Sequence, residues 1–252
     1  MKAAVVSMFF GKVSGMYKLR MIMLGGSLFM AAPVSAQGYF PNIMVSDFPD
    51  PVVGKDSGRD YSDSVSSSDY DRPKAEALPV DGRFTVSQSR RKANALQFVA
   101  AMKQQDPAVG HVLEQSILQG DLLATLDGAM RESGLSSSNV GDAFALWWLS
   151  SWQAAHGDFD LNPSKAQIFG VKNQAAAMIS NWPGFAALTN DQKQDVADNF
   201  ILSTLLVVSA VQGAKQNPEQ SSAVQNYVRN SATAMGMDLT ALKLTDNGFA
   251  AR

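Results

Sequence analysis

The chain has 252 residues, of which 46% are hydrophobic and 17% charged, and its 21 basic and 23 acidic side chains leave a formal net charge of −2. These values exclude a wholly disordered chain, which would be less apolar, and a nucleic-acid binder that acts through net positive charge. The apolar residues also lack the several long runs that a multi-span membrane protein needs. Composition therefore indicates an ordinary globular protein and no particular activity.

The first 36 residues predict a signal peptide. Their only charges are basic and lie at Lys2, Lys12, Lys18 and Arg20. An apolar stretch follows over residues 21–32, and Val34-Ser35-Ala36 places small residues at the −3 and −1 positions of a signal-peptidase site, so we expect cleavage after Ala36. A membrane anchor is the alternative, but the stretch is shorter than the roughly 20 apolar residues that cross a bilayer. Met16 is an alternative start, which would shorten an unusually long leader.

The chain contains no cysteine. Exported proteins meet oxidising compartments in which disulfides often stabilise small folds, so we expect the hydrophobic core alone to hold this one. A lipoprotein is excluded as well, because its lipid is attached to a cysteine. We therefore expect the mature chain to be periplasmic or secreted, with no membrane span after signal cleavage.

Residues 37–83 predict a disordered acidic arm that is rich in serine and proline. They hold nine acidic and five basic residues, five prolines and a serine-rich run over residues 62–69. Such a composition buries too little apolar surface to offset the entropy of ordering. One cluster near the start is apolar enough to dock elsewhere: Tyr39, Phe40, Ile43, Met44 and Phe48.

The remaining residues, 84–252, predict one helical domain. Apolar residues spaced three and four apart indicate a first helix over residues 89–105. Asp106 and Pro107 have the residue types of an N-cap and a first helical position, so they predict a second helix, to residue 120. A third helix follows over residues 121–133, with a glycine after it that suits a left-handed stop.

A fourth helix, over residues 139–156, is apolar almost all round and is the predicted centre of the bundle. Four tryptophans of the domain are candidates to line a binding groove: Trp147, Trp148, Trp152 and Trp182. Tryptophan is common at recognition sites. The alternative is that these side chains fill the core, in which case Trp182, in a turn beside Pro183, should be the most exposed of them.

Three further helices are predicted over residues 164–181, 189–216 and 218–235, with a short helix near Phe185. Thr189 and Gln192 have the spacing of a capping box at the start of the long one. The tail over residues 237–249 alternates like a strand, and no partner strand is evident in the domain. The fold class is therefore all-α, a single bundle of about six to seven helices with a short extended C-terminal tail.

The segment Asp142-Ala-Phe-Ala-Leu-Trp-Trp-Leu-Ser-Ser-Trp-Gln-Ala-Ala-His156-Gly157, preceded by Ser133-Gly134-Leu135 and Asn139-Val140, resembles an uncharacterised family of exported proteobacterial proteins with a helical domain. The resemblance covers roughly residues 87–249. It implies a signal peptide followed by a helical domain of unknown function. It implies no activity, cofactor or catalytic residue.

The densest cluster of metal-ligating side chains follows the tryptophan helix: His156, Asp158, Asp160 and Asn162. The Asp-x-Asp-x-Asn spacing matches the first half of a calcium loop. The sixth position, however, is Pro163 where the turn needs glycine, and the twelfth is Phe169 where a bidentate glutamate is needed. We therefore expect no bound metal and no cofactor, and an ordinary interhelical loop in which Asn162 or Ser164 caps the next helix.

Other catalytic or binding sets are incomplete. The chain has two histidines, His111 and His156, and no Gly-x-Ser-x-Gly nucleophile motif. His156 closes a helix, where the dipole stabilises its protonated form and makes it a poorer general base. His111 and Glu114 form a single His-x-x-Glu pair, whereas a di-metal bundle needs two. The basic residues 90–92 are expected to be a solvated edge, too small for a nucleic-acid site.

Two functions from different classes remain. The first is an exported helical binding module without catalysis, whose partner would be an envelope or extracellular protein. The alternative is an envelope hydrolase, or a cation-dependent site, built on His156, Asp158 and Asp160. The hydrolase requires these three side chains together in a concave pocket, and the module requires only an apolar groove or a flat interface. We favour the module because the sequence shows no general base beside a reacting group.

Overall fold

The computed structural model describes residues 81–119 and 122–252. The predicted leader and all but the last three residues of the predicted arm lie outside the described residues. Seven α-helices occur in the described ranges: α1 Gln88–Gln105, α2 Pro107–Gln119, α3 Leu122–Glu132, α4 Val140–His156, α5 Lys165–Ser180, α6 Asn190–Gln216 and α7 Ser221–Ala234. Two strands follow, β1 Leu242–Thr245 and β2 Gly248–Ala251. The all-α prediction is confirmed.

Local capping explains why several helices begin and end where the sequence predicted. The Asn139 side chain accepts hydrogen bonds from the first backbone amides of α4, and Gly157 closes that helix at a φ of 68°. Thr189 and Gln192 form the predicted capping box of α6. Ser164 and Gln167 form a second one at the start of α5. Each device satisfies backbone groups that the helix itself leaves unpaired.

Helix α4 is the centre of the fold, as predicted. Every residue of this helix except His156 is buried. It packs against α5, α6 and α7, and its side chains form the main apolar cluster with theirs. A second, smaller apolar cluster joins α1 and α2 to the middle of α6, around Phe98 and Leu202. Helix α6 therefore belongs to both clusters and links them.

The length and apolarity of α6 would also allow it to cross a membrane, and it is the one helix of the described ranges for which this holds. In its most apolar window, 72% of the residues are buried inside the fold. A core helix passes the same test of length and composition as a membrane span. Its burial between α1, α4 and α7 accounts for its apolar sequence.

The C-terminal tail is an antiparallel hairpin, so the expectation that it lacked a partner strand was wrong. Leu242 lies opposite Ala251 and Thr245 lies opposite Gly248. The partner is the last segment of the tail itself, whose glycine and alanines give no β-branched pattern to recognise. Helix α5 covers the outer edge of β2, because the Gln174 side chain donates to the Phe249 carbonyl and accepts from its amide, both at 2.6 Å.

Candidate functional site

The loop after α4 does not gather the residues that the hydrolase alternative requires. Asp158, Asp160 and Asn162 are exposed, and the Asp160 side chain is 93% exposed and pairs with Lys215 at 2.5 Å. No group of three or more histidine, cysteine, aspartate or glutamate side chains that could hold a metal occurs among the described residues. The geometry therefore gives His156 no carboxylate of this loop in a shared pocket.

The His156 ring is held by its own helix. Its Nδ1 atom lies 2.9 Å from the Trp152 carbonyl, and its ring centroid lies 4.7 Å from that of Trp152. Because a carbonyl can only accept, Nδ1 carries the proton in this arrangement. The other ring nitrogen, Nε2, is buried and has no hydrogen-bond partner among the described residues. The Nε2 atom of His156 is therefore enclosed by the fold, whereas Asp158 and Asp160 are exposed.

The loop itself is fixed by backbone and side-chain bonds. The Asp158 amide donates to the Gln153 carbonyl at 3.1 Å, and Gln153 Nε2 donates to the Leu161 carbonyl at 2.6 Å. Phe159 and Leu161 pack partly buried against the main cluster. Of the two predicted caps, Ser164 is the one that caps α5. This is the arrangement of an interhelical loop.

All four candidate tryptophans are buried in the main apolar cluster. Trp147 and Trp148 are each 1% exposed, Trp152 is 7% and Trp182 is 8% exposed. Trp182 is the most exposed of the four, as expected, but it is still buried, because its ring packs against Phe185 at a centroid distance of 5.8 Å. A binding role for these side chains stays a prediction, and it would require the core to open.

The hairpin covers the C-terminal half of the tryptophan helix. The Phe249 ring lies 4.6 Å from Trp148 and 5.5 Å from Trp152, between centroids. Trp152 Nε1 donates to the Leu242 carbonyl at 3.1 Å. Aromatic pairs at these distances stabilise a core beyond the area that they bury. The hairpin thus takes the place that a ligand would need in order to reach Trp148 and Trp152.

A buried polar network, which we call the Asp198 network, was missed by sequence reasoning. Its members are Arg91, Asn94, Ser137, Gln194 and Asp198. Arg91 Nε donates to Asp198 Oδ1 at 2.8 Å, and Arg91 also donates to the Ser137 carbonyl at 2.8 Å. Asn94 and Gln194 donate to the other carboxylate oxygen at 3.0 and 3.2 Å. Burial raises the pKa of Asp198, and Arg91 opposes the rise.

The expectation of a solvated edge at residues 90–92 was therefore wrong for Arg91, whereas the Arg90 side chain is 34% exposed. Arg91 is 7% exposed, and Arg90 pairs with Asp191 and Asp195 of α6. A signal was present in the sequence, since Arg91 lies four residues before Ala95 and so falls on the buried stripe of α1. A charge on an apolar stripe requires a buried partner.

A second buried carboxylate, Asp142, lies in the first turn of α4. Its Oδ2 atom accepts from the Ser136 amide at 2.8 Å and from Lys172 Nζ at 3.1 Å. Lys172 also donates to the Gly134 carbonyl at 2.8 Å. Burial raises the pKa of Asp142 more than Lys172 lowers it. Together with the Asp198 network, this pair ties the loop over residues 133–139 to α1, α4, α5 and α6.

The single His-x-x-Glu pair lies on the surface. His111 Nδ1 is 3.6 Å from Glu114, and the His111 side chain is 66% exposed. Lys103 holds the same carboxylate at 2.7 Å, and the Lys103 ammonium lowers the pKa of Glu114. The pair thus belongs to an exposed contact between α1 and α2.

Two small cavities lie beside α4, and each has a volume of about 10 Å³. One lies between α4 and α6 and has an almost wholly apolar lining. The other lies between α4, α6 and α7 and is lined by hydroxyl groups. Neither has room for a metabolite.

Comparison with known proteins gives a family and no activity. No curated protein and no solved structure matches the chain. A family profile does match, over residues 75–252, which includes every described element. The family resemblance read from the tryptophan helix is thus confirmed at the level of a domain of unknown function. The chain belongs to the family of unknown function DUF6683.

Proposed function

We propose that this protein is an exported helical module that binds a protein partner of the envelope or the extracellular space through its outer surface, without catalysis. The observation that carries the proposal is the exposure of Phe169 on α5. Its side chain is 60% exposed, more than any other large hydrophobic residue of the described chain. The four tryptophans, by contrast, are buried, so Phe169 is the most exposed aromatic residue among those whose burial the structure describes.

Phe169 lies on an exposed strip of α5 that we call the α5 face: Ala166, Phe169, Asn173 and Ala177. These residues are three or four apart, so they share one side of the helix. Small side chains around one aromatic residue leave it accessible to a partner surface. Aromatic residues are enriched at protein interfaces relative to the rest of the protein surface.

The α5 face is held rigidly from behind. Lys172 bonds Asp142, Gln174 bonds Phe249, and the backbone at Gly170 rests directly on the hairpin turn. A preorganised surface loses little conformational entropy on binding, so more of its contact energy appears as affinity. Rigid display of one exposed aromatic residue supports a recognition role for this face.

Export is the part of the proposal that rests on the leader. The basic lead, apolar stretch and small residues before Gln37 are the features of a cleaved signal. Mass spectrometry of the protein from a periplasmic or culture-supernatant fraction should find Gln37 at the N-terminus. An N-terminus that keeps residues 1–36 in a cytoplasmic fraction would contradict export.

The interface is tested with a photo-crosslinking amino acid at position 169. In the envelope fraction of the native cell, position 169 should give one discrete crosslinked protein. The matched control is position 96, because Leu96 is 39% exposed and lies on α1. No adduct from position 169, or the same adducts from both positions, would overturn the proposal. Phe169→Ser should lose the partner and keep the melting temperature, because an exposed ring contributes little to the core.

A further inference from the structure

Two buried serines depart from the usual behaviour of serine in a helix. Helical serine and threonine side chains commonly donate to the carbonyl four residues earlier. Three buried or half-buried examples do so here at 2.8–2.9 Å: Ser150, Ser180 and Thr204. Ser151 and Ser231 are 1% and 4% exposed, and their hydroxyl oxygens have no hydrogen-bond partner among the described residues. Leaving a buried hydroxyl unpaired destabilises the fold.

The two unpaired hydroxyls line the same cavity. Ser151 on α4 and Ser231 on α7 both lie at the hydroxyl-lined cavity, together with Ser203 on α6 and Tyr227 on α7. Its volume of about 10 Å³ is close to the space that one water molecule requires. The lining therefore offers several hydroxyl groups to a guest of that size.

Tyr227 can donate into this cavity at any physiological pH. Burial raises the pKa of its hydroxyl to about 12, so the phenol stays protonated. The Ser231 hydroxyl is near enough to oppose that rise, but the two groups are not in hydrogen-bonding geometry. A donor and an acceptor between them would satisfy both.

The neighbouring cavity of the same volume gives the contrast. Its polar lining groups already have partners, since Ser150 donates to the Leu146 carbonyl at 2.8 Å and Gln153 donates to the Leu161 carbonyl at 2.6 Å. The rest of its lining is alanine, phenylalanine and valine. Apolar cavities of this kind stay dry. The two cavities thus differ in chemistry and not in size.

We propose that the cavity between α4, α6 and α7 is a binding site for one structural water molecule, which bridges the Ser151 and Ser231 hydroxyls. Water supplies two donors and two acceptors, so it can pair with both serines and still bond Tyr227 or Ser203. Buried waters typically make about three such bonds. The bridge joins α7 to the central helix at the level of Trp147.

The direction in which a serine-to-alanine substitution shifts the melting temperature tests the proposal. With a bridging water, Ser151→Ala and Ser231→Ala each lower the melting temperature of the purified exported protein, by about 2–4 °C for a loss near 1 kcal/mol. With an empty cavity, each change removes an unpaired buried hydroxyl, and the melting temperature stays constant or rises. A constant or raised melting temperature in both variants would overturn the proposal.

A double-mutant cycle separates a shared water from two independent bonds. Groups that share one water should be coupled, so the Ser151→Ala and Ser231→Ala double variant should lose little more than either single variant. The control pair is Ser150→Ala with Ser231→Ala, because Ser150 already bonds Leu146, and these shifts should add. Additive shifts in the test pair would mean that each serine bonds its own helix, which would overturn the water site. A crystal structure near 1.5 Å should show the water within hydrogen-bonding distance of both oxygens.

Discussion

The two halves of α4 are held in different ways. Around its N-terminal half, buried charges provide the ties: Asp142 pairs with Lys172, and the loop that precedes the helix receives Arg91 of the Asp198 network. Around its C-terminal half, aromatic packing provides them, with Phe249 of the hairpin against Trp148 and Trp152. The acidic loop beyond His156 takes part in neither arrangement.

The comparison shows that a dense run of acids in the sequence is a poor guide to where charge matters. Asp158 and Asp160 lie two residues apart and are exposed, whereas Asp142 in α4 and Asp198 in α6 are buried. An exposed carboxylate interacts weakly with neighbouring charges, so the loss of one contact changes stability little. A buried carboxylate has lost its hydration, so the removal of its charged partner destabilises the fold strongly.

Removing the buried carboxylate of the Asp198 network should have the largest effect. Asp198→Ala leaves the Arg91 charge buried without its partner, so we expect the free energy of unfolding to fall by about 3–5 kcal/mol. Urea denaturation measures this fall in the free energy of unfolding. The double variant Arg91→Met, Asp198→Leu should recover most of the loss, because it removes both charges. A loss below about 1 kcal/mol in the single variant would show that the network does not hold α1 to α6.

A larger side chain at the contact between α5 and the hairpin should test the aromatic packing around the C-terminal half of α4. A Cβ atom on Gly170 would meet the backbone of Asn247 and Gly248, so Gly170→Ala should lower the free energy of unfolding by about 1–3 kcal/mol. Gly128→Ala in α3 is the matched control, since nothing lies within 4 Å of its added Cβ, and it should be neutral or stabilising by up to about 1 kcal/mol. Equal effects of the two changes would contradict a tight α5–hairpin contact.

The charged half of α4 should show a dependence of stability on pH. Burial raises the pKa of Asp142 above its ordinary value of 3.8, so the folded chain keeps this proton at a pH where the unfolded chain has lost it. Such a group adds stability that is fully present below the unfolded pKa and is lost as the pH rises through the folded pKa. The stability of the wild type relative to Asp142→Asn should therefore increase as the pH falls from 7 toward 4.

Urea midpoints of both proteins across that range measure this difference. A difference for Asp142→Asn that shrinks on acidification would mean that Lys172 outweighs burial at this site.

Changes in the exposed loop should have the smallest effect. Asp158→Ala and Asp160→Ala should each change the free energy of unfolding by no more than about 0.5 kcal/mol. Addition of calcium or zinc should leave the melting temperature of the wild type unchanged, because the two carboxylates are exposed and do not converge. A metal-dependent rise that Asp160→Ala abolishes would instead establish this loop as a cation site.

Helix boundaries were predictable because the devices that set them are local. The N-cap at Asn139, the capping box of Thr189 with Gln192 and the left-handed Gly157 each act within a few residues of their own helix end. The burial of α4 was predictable for a similar reason, since a helix that is apolar all round can only be stable inside the bundle.

The candidate site was less predictable, because residue types can be read from a sequence whereas the exposure of each side chain cannot. His156, Asp158 and Asp160 are close in sequence, but α4 ends at Gly157 in the left-handed conformation and the two acids beyond it are exposed. The hairpin was missed because its second strand has small residues, and it is stabilised by Gln174, which comes 75 residues earlier. In both cases the deciding contact is not a neighbour in sequence.

The helices, their order and the central position of the tryptophan helix can be predicted from the sequence, because periodicity and capping are properties of short segments. The tertiary structure decided which polar groups are buried. Arg91 and Asp198 are 107 residues apart and meet only because α1 crosses α6. Ser151 and Ser231 likewise share a cavity only because α7 packs on α4. Burial changes the energy of a charge or a hydroxyl by several kcal/mol, and it depends on how distant segments pack.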